Sequence, residues 1–210
     1  MNTFVTRALL LLGRGEELLA ALPRAFRIDG SEEQLLAVDA REALALVHLG
    51  RVPEARAALG RVLTQYSIGL EGDERAAPFL TFLLEAAVLV GDREAAALLA
   101  GHLGVLAPLP WLYLAQTCPA RHLGAAAALL GEPEKAKPYY QQALEVCAKI
   151  RFRPEIALTR LQLAELLLEH YRDARTEAIQ HLDFAIAEFQ EMKMQPSLER
   201  VLRHKGLLKA

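Results

Sequence analysis

Apolar helical runs alternate along this chain with short breaks carrying Gly, Pro or charge, and one break recurs. It is an apolar run, a Gly, four residues, then a small Ala. It appears as Gly50-Arg-Val-Pro-Glu-Ala55, again as Gly91-Asp-Arg-Glu-Ala-Ala96, and again as Gly131-Glu-Pro-Glu-Lys-Ala136. A fourth copy lacks the Gly and has a longer turn, Tyr171-Arg-Asp-Ala-Arg-Thr-Glu-Ala178. The Ala positions follow one another at 41, 40 and 42 residues. A fixed period of this size marks stacked helical hairpins. The last two copies align at an offset of 42, which pairs Ala136 with Ala178, Tyr140 with Leu182, Ala143 with Ala185 and Pro154 with Pro196.

The Gly is expected to end each first helix in the left-handed conformation. Pro53 and Pro133 fall near the first turn of the second helix, where a missing N–H costs little. The small Ala lets the two helices approach, and the closing Pro ends the second helix. Such a hairpin cannot bury both its faces alone, so neighbours must stack. The predicted pairs are about 3–12 with 15–27, 33–49 with 53–67, 73–90 with 92–103, 111–130 with 133–151, and 155–170 with 174–192. A capping helix follows at about 196–208. Pro119 should kink, interrupt or start the first helix of the fourth pair. Loops at 28–32, 68–73 and 104–110 are too short to be linkers, so one domain over 1–210 is expected. The fold class is all-α, a right-handed α-solenoid of about five antiparallel helix pairs with its cap.

Composition supports this reading. The chain holds 41 Leu and 36 Ala, against 10 Val, 6 Ile and 7 Thr. Strong helix formers dominate and sheet formers are scarce. The net charge is −2, with acids and bases interspersed, so neither nucleic acid nor an anionic membrane surface is an expected partner. The apolar run Ala8–Leu12 is too short for a signal-peptide core, and the charge-free stretch Leu103–Ala120 is broken by three prolines and a glycine. A cytoplasmic protein is expected. Cys118 and Cys147 are 29 residues apart, which is neither a redox nor a zinc spacing, and two reduced thiols are expected.

Candidate chemistry is sparse. Gly13-Arg-Gly15 has neither the Lys nor the strand of a phosphate loop. The six His are scattered without zinc-peptidase spacing, and with three serines there is no nucleophile elbow. No catalytic residue, cofactor or metal is expected, and the chain is read as non-enzymatic. The frame places Leu44, His48, Thr81, Glu85, Arg121, Ala125, Leu161, Glu165 and Glu169 on first helices facing a concave groove that would hold a protein or peptide partner. Arg121 is the leading candidate, expected to face Glu85 and Glu165, and its loss together with that of Glu165 should abolish capture without lowering stability. Trp111 and Tyr113 form a candidate hot spot or the packing of a loop. Homo-oligomerisation and small-ligand sensing in the groove are the other readings.

At this point the residues resemble the tetratricopeptide repeat. Leu123-Gly124, Gly131, Ala136, Tyr140, Ala143 and Pro154 fit its pattern. Leu163-Ala164, Ala178, Leu182, Ala185 and Pro196 fit less fully, and the period near 41 exceeds the usual 34. The run Arg121-His-Leu-Gly-Ala-Ala-Ala-Ala-Leu-Leu-Gly131 and the end Phe189-Gln-Glu-Met-Lys-Met194 look like the helical arms of bacterial nucleotide-cyclase/ATPase regulators and of maltose-regulon-type activators. That resemblance implies a C-terminal piece, or a free-standing relative, of a larger signalling or transcription regulator.

Overall fold

A computed structural model describes residues 5–25, 31–66, 77–109 and 116–207. Trp111 and Tyr113 lie outside the described residues, as do the expected helix ends at 3–4, 26–27, 67, 73–76, 111–115 and 208 and the loop at 68–73. The described residues form eleven α-helices and two short 3-10 turns, so the chain is all-α. The helices are α1 (Val5–Leu11), α2 (Gly15–Ala25), α3 (Glu32–His48), α4 (Val52–Gln65), α5 (Ala77–Val90), α6 (Arg93–Leu103), α7 (Pro119–Leu129), α8 (Pro133–Lys149), α9 (Arg153–His170), α10 (Arg175–Glu191) and α11 (Gln195–Leu207).

The helices group into two compact units, α1–α6 and α7–α11. Within each, every helix packs on the next, and first helices also pack on first helices: α3 on α5 in the first unit, α7 on α9 and α9 on α11 in the second. This is the contact pattern of stacked hairpins. Ala55, Ala96, Ala136 and Ala178 are all fully buried, as close helix approach requires.

The turns follow the expected chemistry. Gly131 has φ +77°; its N–H bonds to Ala128 O at 3.0 Å and the N–H of Glu132 to Ala127 O at 2.9 Å. Those two bonds satisfy carbonyls that the helix end would otherwise orphan. Gly13, Gly50 and Gly91 sit in the same conformation with the same pair of bonds. The second helices α8 and α10 end identically, but on Arg151 (φ 54°) and Lys193 (φ 57°). These two residues are 42 apart, so the repeat extends to a backbone conformation that a side chain disfavours. Pro53 and Pro133 open α4 and α8, and Pro119 starts α7. The missing Gly of the fourth copy is replaced by a 3-10 turn, Arg172–Ala174, ahead of α10.

Gly124, on α7, has a different role. A Cβ there would stand 2.7 Å from Cε1 of Tyr140, a residue of α8 that is itself buried. The absence of a side chain at 124 is what lets the Tyr140 ring lie against α7.

Candidate functional site

The first helices carry charged clusters in each unit. In the first unit Arg7, on α1, donates from Nη1 to Glu85 Oε2 on α5, and His48 Nε2 on α3 lies 3.6 Å from Glu85 Oε1. Arg41, also on α3, is fully buried and donates to Thr6 Oγ1 at 3.1 Å and to Ala37 O at 2.6 Å. The guanidinium carbons of Arg7 and Arg41 stand 5.6 and 5.3 Å from the centre of the Phe82 ring, within cation–π range. Burial pushes Arg41 down to about 10, so it stays charged at neutral pH. Thr81 is buried, whereas His48 keeps 22% of its side chain exposed and Glu85 12%.

In the second unit Arg121 is buried, with 2% of its side chain exposed, and so is its partner Glu155, with 1%. Glu155 stands in the first turn of α9, one residue after Pro154. Its Oε2 accepts from Arg121 Nε at 2.7 Å and from the Cys118 N–H at 3.1 Å, while its Oε1 accepts from Thr117 Oγ1 at 2.8 Å. Arg121 Nη2 also lies 3.0 Å from His122 Nε2. Thr117 Oγ1 lies closer still to that ring nitrogen, at 2.7 Å. The arrangement is a buried charge knot that joins the start of α7 to the start of α9.

Arg121 therefore occupies a different place from the one its sequence position suggested. Its buried pairing with Glu155 predicts that removing it lowers stability, where its sequence position alone suggested no effect. Ala125 and Leu161 are buried as well. Glu165 pairs instead with α11: Arg200 Nε and Nη2 donate to it at 2.7 and 2.5 Å, and His204 Nε2 lies at 2.8 Å. Burial acts to raise the Glu165 carboxyl. The His204 hydrogen bond and the Arg200 charge outweigh it, and the group is held below the ordinary carboxylate range. Glu165 keeps 18% of its side chain exposed, and Glu169, one turn further along α9, keeps 75%.

Of the predicted groove residues, the structure thus leaves His48, Glu85, Glu165 and Glu169 reachable from outside. Sequence reasoning passed over Arg7, Arg41 and Glu155. Arg41 was within reach, since it stands seven residues before His48 and so on the same helix face. Glu155 was not, because at the repeat offset its counterpart is Ser197 and the period carries no trace of it.

Among the described residues no group of three or more His, Cys, Asp or Glu is placed to hold a metal ion. No described helix is long and apolar enough to cross a membrane. Helices stacked as paired hairpins, with turns repeating near every 41 residues, define an all-α helical-repeat protein. The chain is similar over 90% of its length to a solved structure of MamA MSR-1 C2, at 19% identity and a TM-score of 0.48, with 97% of that chain covered. No family model matches the chain, and none of the curated proteins matches it.

Proposed function

We propose that this chain is a non-catalytic, tetratricopeptide-like interaction scaffold, the sensor or coupling arm of a bacterial signalling or transcription regulator, holding a protein or peptide partner on its first-helix face. The observation that carries the reading is the charged row on α9. Glu165 is anchored by Arg200 and His204 of α11, and Glu169 projects one turn beyond it with most of its side chain in solvent. A charge that is exposed beside a fixed, partly buried one is suited to orient a partner, since rim charges govern encounter and register. The partner would carry Lys or Arg opposite Glu169. The proposal places the chain in the cytoplasm, with neither nucleic acid nor membrane as its partner.

The test uses the full chain as bait, identifies the captured protein by mass spectrometry and reconstitutes the purified pair in a calorimeter. Glu169→Lys should weaken binding about tenfold or more while leaving the melting temperature unchanged, because Glu169 is exposed. A reconstituted pair that binds the wild type and the Glu169→Lys variant equally would remove the α9 face from the proposal.

A further inference from the structure

Cys118 and Cys147 looked unrelated in the sequence, and the fold brings them into contact. Cys118 immediately precedes α7, and Cys147 lies near the C-terminal end of α8. Both are fully buried in one small cluster with Ala120 and Ala143, whose short side chains leave the two sulfurs room to meet. The two cysteines belong to one hairpin, because α7 packs directly on α8, so a disulfide between them would join helices that are already neighbours. The cluster is shallow: Val146, Phe152 and Ile156 pack on it and are only partly buried. A small neutral oxidant would have to pass between these side chains, since both sulfurs are buried.

We propose that Cys118 and Cys147 form a dithiol site that a hydroperoxide converts to an intramolecular disulfide. This inference is independent of the interaction reading above. Cys118 is the attacking sulfur: it stands at the N-cap of α7, where the N–H groups of the first turn favour a thiolate. Its interaction with the Cys147 thiol lowers it further, against burial and the nearby Glu155 charge. The Cys118 thiolate attacks one peroxide oxygen, the O–O bond breaks, and the departing hydroxide takes up the proton that Cys118 released. A sulfenic acid remains on Cys118. The Cys147 sulfur then attacks the Cys118 sulfur, the S–O bond breaks, and the leaving hydroxide carries off the Cys147 proton as a second water. Two thiols have lost two electrons and one peroxide has become two waters.

Closing this bond would tie the entry of α7 to the end of α8. It would also act on the charge knot, because the backbone N–H of Cys118 is one of the donors that hold Glu155.

The experiment treats the reduced, folded full chain with hydrogen peroxide. The intact mass should fall by two hydrogen atoms, and the thiols titrated after denaturation should drop from two to none. A peptide map should join the segments holding Cys118 and Cys147, and a dithiol reductant should restore the starting state. The melting transition containing α7 and α8 should rise by about 5–10 °C. In the Cys147→Ser chain, Cys118 has no resolving partner and should stop as a sulfenic acid that dimedone captures. The proposal is overturned if the wild type keeps both thiols, gains oxygen without losing hydrogens, or cross-links between chains. If the Ser variant does not fold, the wild-type mass and peptide map decide the question alone.

Discussion

At the scale of single residues, one ion pair and one glycine control the second unit. Arg121 and Glu155 are a buried ion pair with several further hydrogen bonds around the carboxylate. Removing one partner leaves the other charge buried and uncompensated, so Arg121→Ala should cost about 3–5 kcal/mol in denaturant unfolding. The double change Arg121→Met with Glu155→Leu removes both charges and should cost clearly less than the single one. If the double variant is the less stable of the two, the pair is net stabilising and that account is wrong. Gly124 is the glycine. Alanine would gain about 1 kcal/mol of helix propensity, yet its Cβ would overlap the buried Tyr140 ring. Overpacking of this kind costs about 1–3 kcal/mol, so Gly124→Ala should be neutral to destabilising, and Gly124→Ala with Tyr140→Leu should recover the loss. An alanine variant more stable than the wild type would show that the ring can move aside. These residues also show what a sequence can convey. The Leu123-Gly124 and Tyr140 positions were legible because they recur in a pattern. The partner of Arg121 was not, because an ion pair between two helix starts leaves no periodic mark.

Among the elements, the turns were the most legible part of the fold, since a Gly or Pro at a helix end acts through local backbone sterics. The docking of α11 is the opposite case. Arg200 and His204 can be read from the sequence as cations of that helix, but their target on α9 depends on how one helix lies over another. Glu165 is that target, and it is held below its ordinary range in the folded chain. A carboxylate with a depressed folded value adds stability that is present in full above its unfolded value. That stability is lost as the pH falls through the lower, folded value. The contribution of Glu165 to the attachment of α11 should therefore weaken in acid, starting where free carboxylates begin to protonate and progressing below. Hydrogen exchange across α11 at a series of pH values, corrected for intrinsic rates, reads this directly. Glu165→Gln should loosen α11 at neutral pH and remove most of that acid dependence. A Gln variant with wild-type protection would mean that Glu165 does not fasten the helix.

For the whole molecule, what matters is that the two units each hold their own core and their own charged cluster. Leu44, Leu59, Phe82 and Leu99 lie buried in the first, and Tyr140, Leu161, Leu182 and Phe189 in the second. The contacts that stabilise stacked hairpins run between near neighbours, so repeat arrays distribute stability along the chain instead of concentrating it in one centre. Cooperative unfolding of all 210 residues is then not assured, and a single melting temperature need not describe the chain. Arg121→Ala supplies a lever for this, because the knot it breaks lies wholly within the second unit. Native-state hydrogen exchange should show lost protection across α7–α11 in that variant, with α1–α6 exchanging as in the wild type. In calorimetry the measured enthalpy should exceed the van't Hoff value, and the gap should widen in the variant as the second unit melts earlier. Equal loss of protection along the whole chain, with matching enthalpies, would instead establish one cooperative body. The knot would then act on the first unit as strongly as on its own.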